Sequence, residues 1–138
     1  MIVLVDSSVW IDSFADRDTL QVLALADITN ADDELVVADL VLTEVLQGTR
    51  DRRDFAAKQA WLDTFDQVTI VDRRVAVQAA RNYQTLRALG ITVRKTIDTL
   101  IATRCILDGI PLLYSDRDYD PFVEHLGLRS ALDLRPES

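Results

Sequence analysis

The chain has 138 residues, 49% hydrophobic and 28% charged, the composition of one globular domain with one core, expected to span 1–138. No run approaches the roughly 18 consecutive apolar residues of a membrane helix, and the N-terminus has neither a basic stretch nor a small-residue cleavage site, so a soluble protein with no membrane partner is expected. The lone cysteine, Cys105, excludes an internal disulfide; lying in the apolar run 100–107, it reads as a core residue of a protein from a reducing compartment, the cytoplasm.

A net charge of -8 argues at first against a nucleic-acid partner, which normally meets basic surface. The average conceals an asymmetry. Residues 50–104 carry eleven Arg and Lys against six Asp and Glu, whereas the rest of the chain carries four against seventeen.

In chain order, Met1-Ile2-Val3-Leu4-Val5 is a short β-branched run that stops at Asp6-Ser7-Ser8, as a buried strand delivering a residue to a site or cap would. Two helices are expected between Ser8 and Asp27, separated by the polar break Asp16-Arg17-Asp18. Leu35-Val36-Val37-Ala38 reads as a second strand, with Asp39 as N-cap of a helix that carries Glu44 and ends at Gly48. A helix over 51–65, a strand over 68–71 and a helix over 73–89 stopping at Gly90 follow from the apolar periodicity. Thr96 is expected to cap a helix over 97–107 ending at Asp108-Gly109. After it come a strand over 111–114, a short helix over 121–125 and a final strand over 131–134. This alternation predicts an α/β fold, a mainly parallel central sheet covered by helices on both faces.

In parallel sheets of this kind ligands lie beyond the carboxyl ends of the strands, where both Asp6 and Asp116 fall. Asp98 stands in the first turn of its helix, and Glu44 interrupts the apolar Leu40-Val41-Leu42-Thr43-Glu44-Val45-Leu46. Taken singly, each has a structural use as a cap, a helix-terminus charge or a surface residue. Together they would concentrate negative charge in one pocket, destabilising it unless cations compensate. Oxygen ligands without cysteine or histidine select a hard ion, Mg²⁺ or Mn²⁺, and imply metal-assisted phosphodiester hydrolysis. His125 is the only histidine, which excludes a two-histidine acid–base nuclease. No Gly-rich phosphate loop or Gly-flanked serine nucleophile is present.

Ile2-Val3-Leu4-Val5-Asp6-Ser7-Ser8-Val9-Trp10-Ile11 resembles the first motif of the PIN-domain ribonucleases, specifically their VapC-like toxins. Leu42-Thr43-Glu44-Val45-Leu46-Gln47-Gly48, Thr96-Ile97-Asp98-Thr99-Leu100-Ile101-Ala102 and Leu112-Leu113-Tyr114-Ser115-Asp116-Arg117-Asp118-Tyr119 are similar to the second, third and fourth, in family order. The resemblance implies a three-layer α/β/α fold and RNA cleavage dependent on Mg²⁺ or Mn²⁺. It also implies dimerisation and inhibition by a separate antitoxin. Asp6, Glu44, Asp98 and Asp116 take the metal and catalytic roles, and Ser7 a supporting hydrogen bond. Asp118 is carried as a supporting residue; whether it or Asp120 joins the metal cluster is left open. The basic segments then become candidate RNA contacts: Arg50, Arg52, Arg53, Arg73, Arg74, Arg81, Arg94 and Lys95. Two other functions share the strand-end carboxylates. One is a phosphoacceptor receiver module, for which Asp72 and Lys95 are the poor matches available; the other is a catalytically silent interaction domain.

Overall fold

Four strands, Ile2–Val5 (β1), Glu34–Ala38 (β2), Asp66–Val68 (β3) and Leu112–Leu113 (β4), form a parallel sheet of order β3-β2-β1-β4 in the computed structural model, which describes residues 1–31 and 33–134. Of the domain expected over 1–138, residues 32 and 135–138 lie outside the described residues. The helices are Ser7–Phe14 (α1), Leu20–Asn30 (α2), Asp39–Gln47 (α3), Arg52–Leu62 (α4), Arg73–Ala88 (α5), Thr96–Asp108 (α6) and Asp120–Leu126 (α7).

Strand order and crossover handedness place the layers. The connections β1 to β2 and β2 to β3 step in one direction along the sheet, so right-handed crossovers put α1 to α4 on one face. The connection from β3 to β4 steps back past β2 and β1, which carries α5 and α6 to the other face. Accordingly α1 packs on α2 and α3, and α3 on α4, while α5 pairs with α6. The result is the expected three-layer α/β/α sandwich. Val3, Leu4, Val5, Leu112 and Leu113 are fully buried between the helical layers. Among the described residues, no helix is long and apolar enough to cross a membrane.

Several helix starts follow directly from the sequence. Thr19 accepts from the Val22 N–H (3.0 Å), Asp51 from Asp54 (2.8 Å) and Asp72 from Val75 (2.8 Å), each satisfying a donor that the first turn leaves free. Gly109, with φ +66°, closes α6 in the left-handed conformation.

Four local expectations are corrected. The third strand is Asp66–Val68, not 68–71. It pairs with Val36, Val37 and Ala38, and β2 stops there because α3 begins at Asp39, so no partner strand continues beyond Val68. Buried Ile70 instead donates its N–H to Asp39 Oδ1 at 3.0 Å. Asp39 is therefore not an N-cap; Ala38 holds that position, and the Asp39 carboxylate joins α3 to the chain after β3. Thr96 does not cap α6 either: it is the first helical residue, after Lys95. Residues Ala131–Leu134 form a 3-10 turn rather than a strand. Pairing at that edge is limited to one bridge, Leu112 to Ser130, because β4 itself is only two residues long.

Candidate metal centre

β1 and β4 are neighbours whose connections leave the sheet in opposite directions, which makes the crevice beyond their carboxyl ends the topological switch point. Asp6 follows β1 directly and Asp116 lies three residues past β4. Helix α6 begins at the same end, placing Asp98 in its first turn, and α3 brings Glu44 from the other helical layer. Glu44 stands three residues after buried Val41 and one before buried Val45, at the edge of the buried face, and is itself half-buried.

Asp6 is 3% exposed. Its Oδ2 accepts from Ser8 Oγ at 3.0 Å and its Oδ1 from the Tyr119 hydroxyl at 3.0 Å. Burial pushes its carboxyl up, partly offset by these hydrogen bonds and by the N–H groups of Ser7 and Ser8. Asp98 is 4% exposed; its Oδ1 accepts from the same Tyr119 hydroxyl at 3.2 Å, and its Oδ2 is buried with no partner. Burial first, then the charge of Asp6, pushes the Asp98 carboxyl up to about 6, against the opposing pull of Lys95. Glu44 is pushed up for the same two reasons, and its Oε1 is likewise buried without a partner.

On the other side of Asp98, Asp116 Oδ1 accepts from the Asp118 N–H at 2.9 Å. Asp98, Asp116 and Asp118 each offer one carboxylate oxygen within 4.8 Å of the others. Asp120 is occupied elsewhere, accepting from the Tyr114 hydroxyl at 3.0 Å. Ser7 is buried next to Asp6, and its hydroxyl helps to hold the Glu44 carboxyl down.

Two buried carboxylate oxygens without donors, at the edge of an acidic cluster, suit a hard divalent cation. Such an ion would add to the one positive charge, Lys95, that the surrounding side chains bring to the acids. Asp98 is common to both halves of the cluster, with Asp6 on one side and Asp116 and Asp118 on the other.

The basic candidates divide. Lys95 Nζ lies 3.9 Å from Asp116 Oδ2. Arg74 instead pairs with Asp108 at the far end of α6 (3.0 Å), and Arg50 with Asp54 on α4 (3.6 Å). Arg52, Arg53, Arg73, Arg81 and Arg94 are exposed. Asp72 caps α5, His125 is exposed on α7 and Cys105 is buried in the core. Tyr119, 0% exposed, is a residue of this cluster that the sequence motifs alone do not single out. Its position in the last acidic motif and the need of a buried hydroxyl for a partner are the signals that point to it.

The PIN domain family model matches residues 3–123. Solved structures of the same fold include VapBC2 from Rickettsia felis bound to a DNA fragment from its promoter. That match has a TM-score of 0.75 and 14% identity, covering 94% of this chain and 97% of that one. VapBC-1 from nontypeable Haemophilus influenzae matches at 0.72 and 14%, covering 94% and 98%. A toxin–antitoxin complex from Klebsiella pneumoniae matches at 0.67 and 18%, covering 93% and 96%. At these identities the likeness is one of fold.

Proposed function

The chain belongs to the PIN-domain family, and on that premise we propose that it is an endoribonuclease dependent on Mg²⁺ or Mn²⁺, the VapC-like toxin of a toxin–antitoxin pair. The observation that carries this reading is the buried, partnerless Oδ2 of Asp98 inside a cluster of acids. Asp6, Glu44, Asp98 and Asp116 are the metal-holding and catalytic residues, and Asp118 is a further ligand. Ser7 and Ser8 support them from the start of α1. The partners are an RNA substrate, a protein antitoxin as in the neighbouring complexes, and a second copy of the chain, in the cytoplasm.

When bound, a hard divalent cation would acidify a water molecule and stabilise negative charge on the phosphate. The chain supplies the rest. Asp6 and Asp98 are held in place by Ser8 and Tyr119, so the pocket is set before substrate arrives. Glu44, half-buried with its carboxyl pushed up, would accept the proton of the attacking water. Lys95, at the mouth beside Asp116, offers a positive charge to a backbone phosphate. With one histidine, exposed on α7, the chain has no pair of imidazoles to activate the RNA 2′-hydroxyl.

Cleavage products test this reading. Hydrolysis by water with the 3′-oxygen leaving yields 5′-phosphate and 3′-hydroxyl ends and stops in EDTA. End-group analysis that recovers 2′,3′-cyclic phosphates, or full activity in EDTA, would overturn it.

A further inference from the structure

We propose that Tyr119 is a positioning residue of the metal centre: its buried hydroxyl ties Oδ1 of Asp6 to Oδ1 of Asp98 and so leaves Oδ2 of Asp98 for the cation. The inference rests on the metal-dependent reading above and extends it to a residue that contacts neither metal nor RNA.

The turn that carries Tyr119 is tied to the site from its first residue. Asp116 precedes the 3-10 turn Arg117–Tyr119. Its Oδ1 accepts from the Asp118 N–H at 2.9 Å, and its backbone carbonyl accepts from the Tyr119 N–H at 3.2 Å. Asp116 thereby remains at the mouth while Tyr119 turns inward. Its ring is wholly buried and packs against Tyr114, with centroids 5.2 Å apart. A ring fixed in a closed core fixes the depth of its hydroxyl, because only rotation of the O–H bond remains free.

That hydroxyl lies 3.0 Å from Asp6 Oδ1 and 3.2 Å from Asp98 Oδ1, so the two oxygens are no further apart than the sum of those distances. Two carboxylates so close repel each other, and a donor shared between them both offsets the repulsion and sets their relative placement. The remaining oxygens complete the pattern. Asp6 Oδ2 is taken by Ser8 Oγ, and Asp98 Oδ2 is the one of the four without a partner. A core tyrosine that merely satisfied its own hydroxyl would need a single acceptor. This one spans two acids delivered by different elements, the end of β1 and the first turn of α6. Partners of metal ligands act by orienting them, and losing one typically weakens metal affinity by roughly 10–100-fold.

The test measures Mn²⁺ binding by electron paramagnetic resonance on the full chain without RNA, wild type beside Tyr119→Phe. Thermal unfolding of both proteins in EDTA runs in parallel. The expected result is a Mn²⁺ dissociation constant raised by roughly 10–100-fold in a variant that still unfolds cooperatively. An unchanged constant would overturn the proposal and leave Tyr119 as a core residue. Should Tyr119→Phe fail to fold, the wild type decides. With 3-fluorotyrosine at Tyr83, Tyr114 and Tyr119, the fluorine resonances are assigned by single Phe variants of Tyr83 and Tyr114, and Mg²⁺ is titrated in. The Tyr119 resonance is expected to shift with the binding isotherm; one that stays fixed at saturating Mg²⁺ overturns the proposal. Wild-type protein that binds no Mn²⁺ overturns the metal-dependent reading together with this one, whereas binding that Tyr119→Phe leaves intact overturns this one alone.

Discussion

Helix α6 carries an aspartate near each end, and their surroundings are opposite. Burial pushes the carboxyl of Asp108, at the C-terminal end, upward, but hydrogen bonds from Arg74 and Arg104 outweigh it and hold the group below the usual carboxylate range. Arg104 also donates to the carbonyls of Thr69 and Ile70, so the same ion pair fastens α6 to the chain beyond β3. At the N-terminal end Asp98 faces Asp6 and Asp116, with Lys95 beside them, and its carboxyl is pushed up to about 6. One end is neutralised from within the chain and serves cohesion. The other keeps negative charge that Lys95 offsets only in part, as sites awaiting a ligand do.

The largest expected effect comes from breaking the charged end. Asp98→Asn keeps the volume and removes the charge common to both halves of the cluster. RNA cleavage should fall by at least about a thousandfold, ~4 kcal/mol of barrier, with the circular dichroism spectrum unchanged. Residual activity within about tenfold of wild type would remove Asp98 from the metal centre.

The same group gives stability a pH dependence. Asp98 titrates at about 6 when folded against an ordinary value of 3.8, so between those values the folded state holds more protons than the unfolded one. Stability in EDTA should therefore fall as pH rises from about 4 to about 6 and level off above. The loss is of the order of a few kcal/mol at most, and Asp98→Asn should shrink it to what the raised carboxyls of Asp6 and Glu44 still contribute. Urea unfolding across this range measures it. A metal-free stability that rises over the same interval would contradict the assigned environment, and saturating Mg²⁺ should restore stability at neutral pH.

At the neutralised end the expectation is reversed. Arg104→Ala should lower stability by about 1–2 kcal/mol through lost hydrogen bonds, seen as a lower Tm, while the Mn²⁺ dissociation constant stays unchanged. A shift in that constant would mean that the two ends of α6 are coupled.

How far this division could be read from the sequence follows from the range of the interactions. Asp6 and Asp116 are legible because apolar strands end just before them, whereas the caps expected at Asp39 and Thr96 are each one residue late, since the residue that starts a helix is set by the strand or loop that precedes it. The third strand is placed two residues too late because its end is set by where β2 stops, a pairing that local β-propensity does not contain. The last strand is lost for the same kind of reason, at an edge whose neighbour is two residues long. Tyr119 reaches acids 113 and 21 residues away, so its place in the last acidic motif is the one local signal and the acids it bridges are not legible from its neighbours. The basic candidates look alike in sequence, yet Arg74 is held by Asp108 and Lys95 stands beside Asp116.

Lys95→Ala carries the smallest effect, and its sign separates a competing charge from a supporting one. The pair with Asp116 is exposed and long, worth less than about 1 kcal/mol. RNA binding should weaken by only a few-fold, with the slope of log affinity against log salt shallower by about one phosphate contact. Mn²⁺ affinity should rise slightly, because a competing positive charge has left the cluster. Weaker Mn²⁺ binding would place Lys95 in a supporting role instead.

If the acidic end of α6 seats a divalent cation, anomalous diffraction from crystals grown with Mn²⁺ should locate it there. A manganese peak is expected bonded to Asp98 Oδ2 within the cluster of Asp6, Glu44, Asp116 and Asp118, and none at Asp108. A protein crystallised with saturating Mn²⁺ that shows no peak at Asp98, or shows one at Asp108 instead, would contradict that assignment.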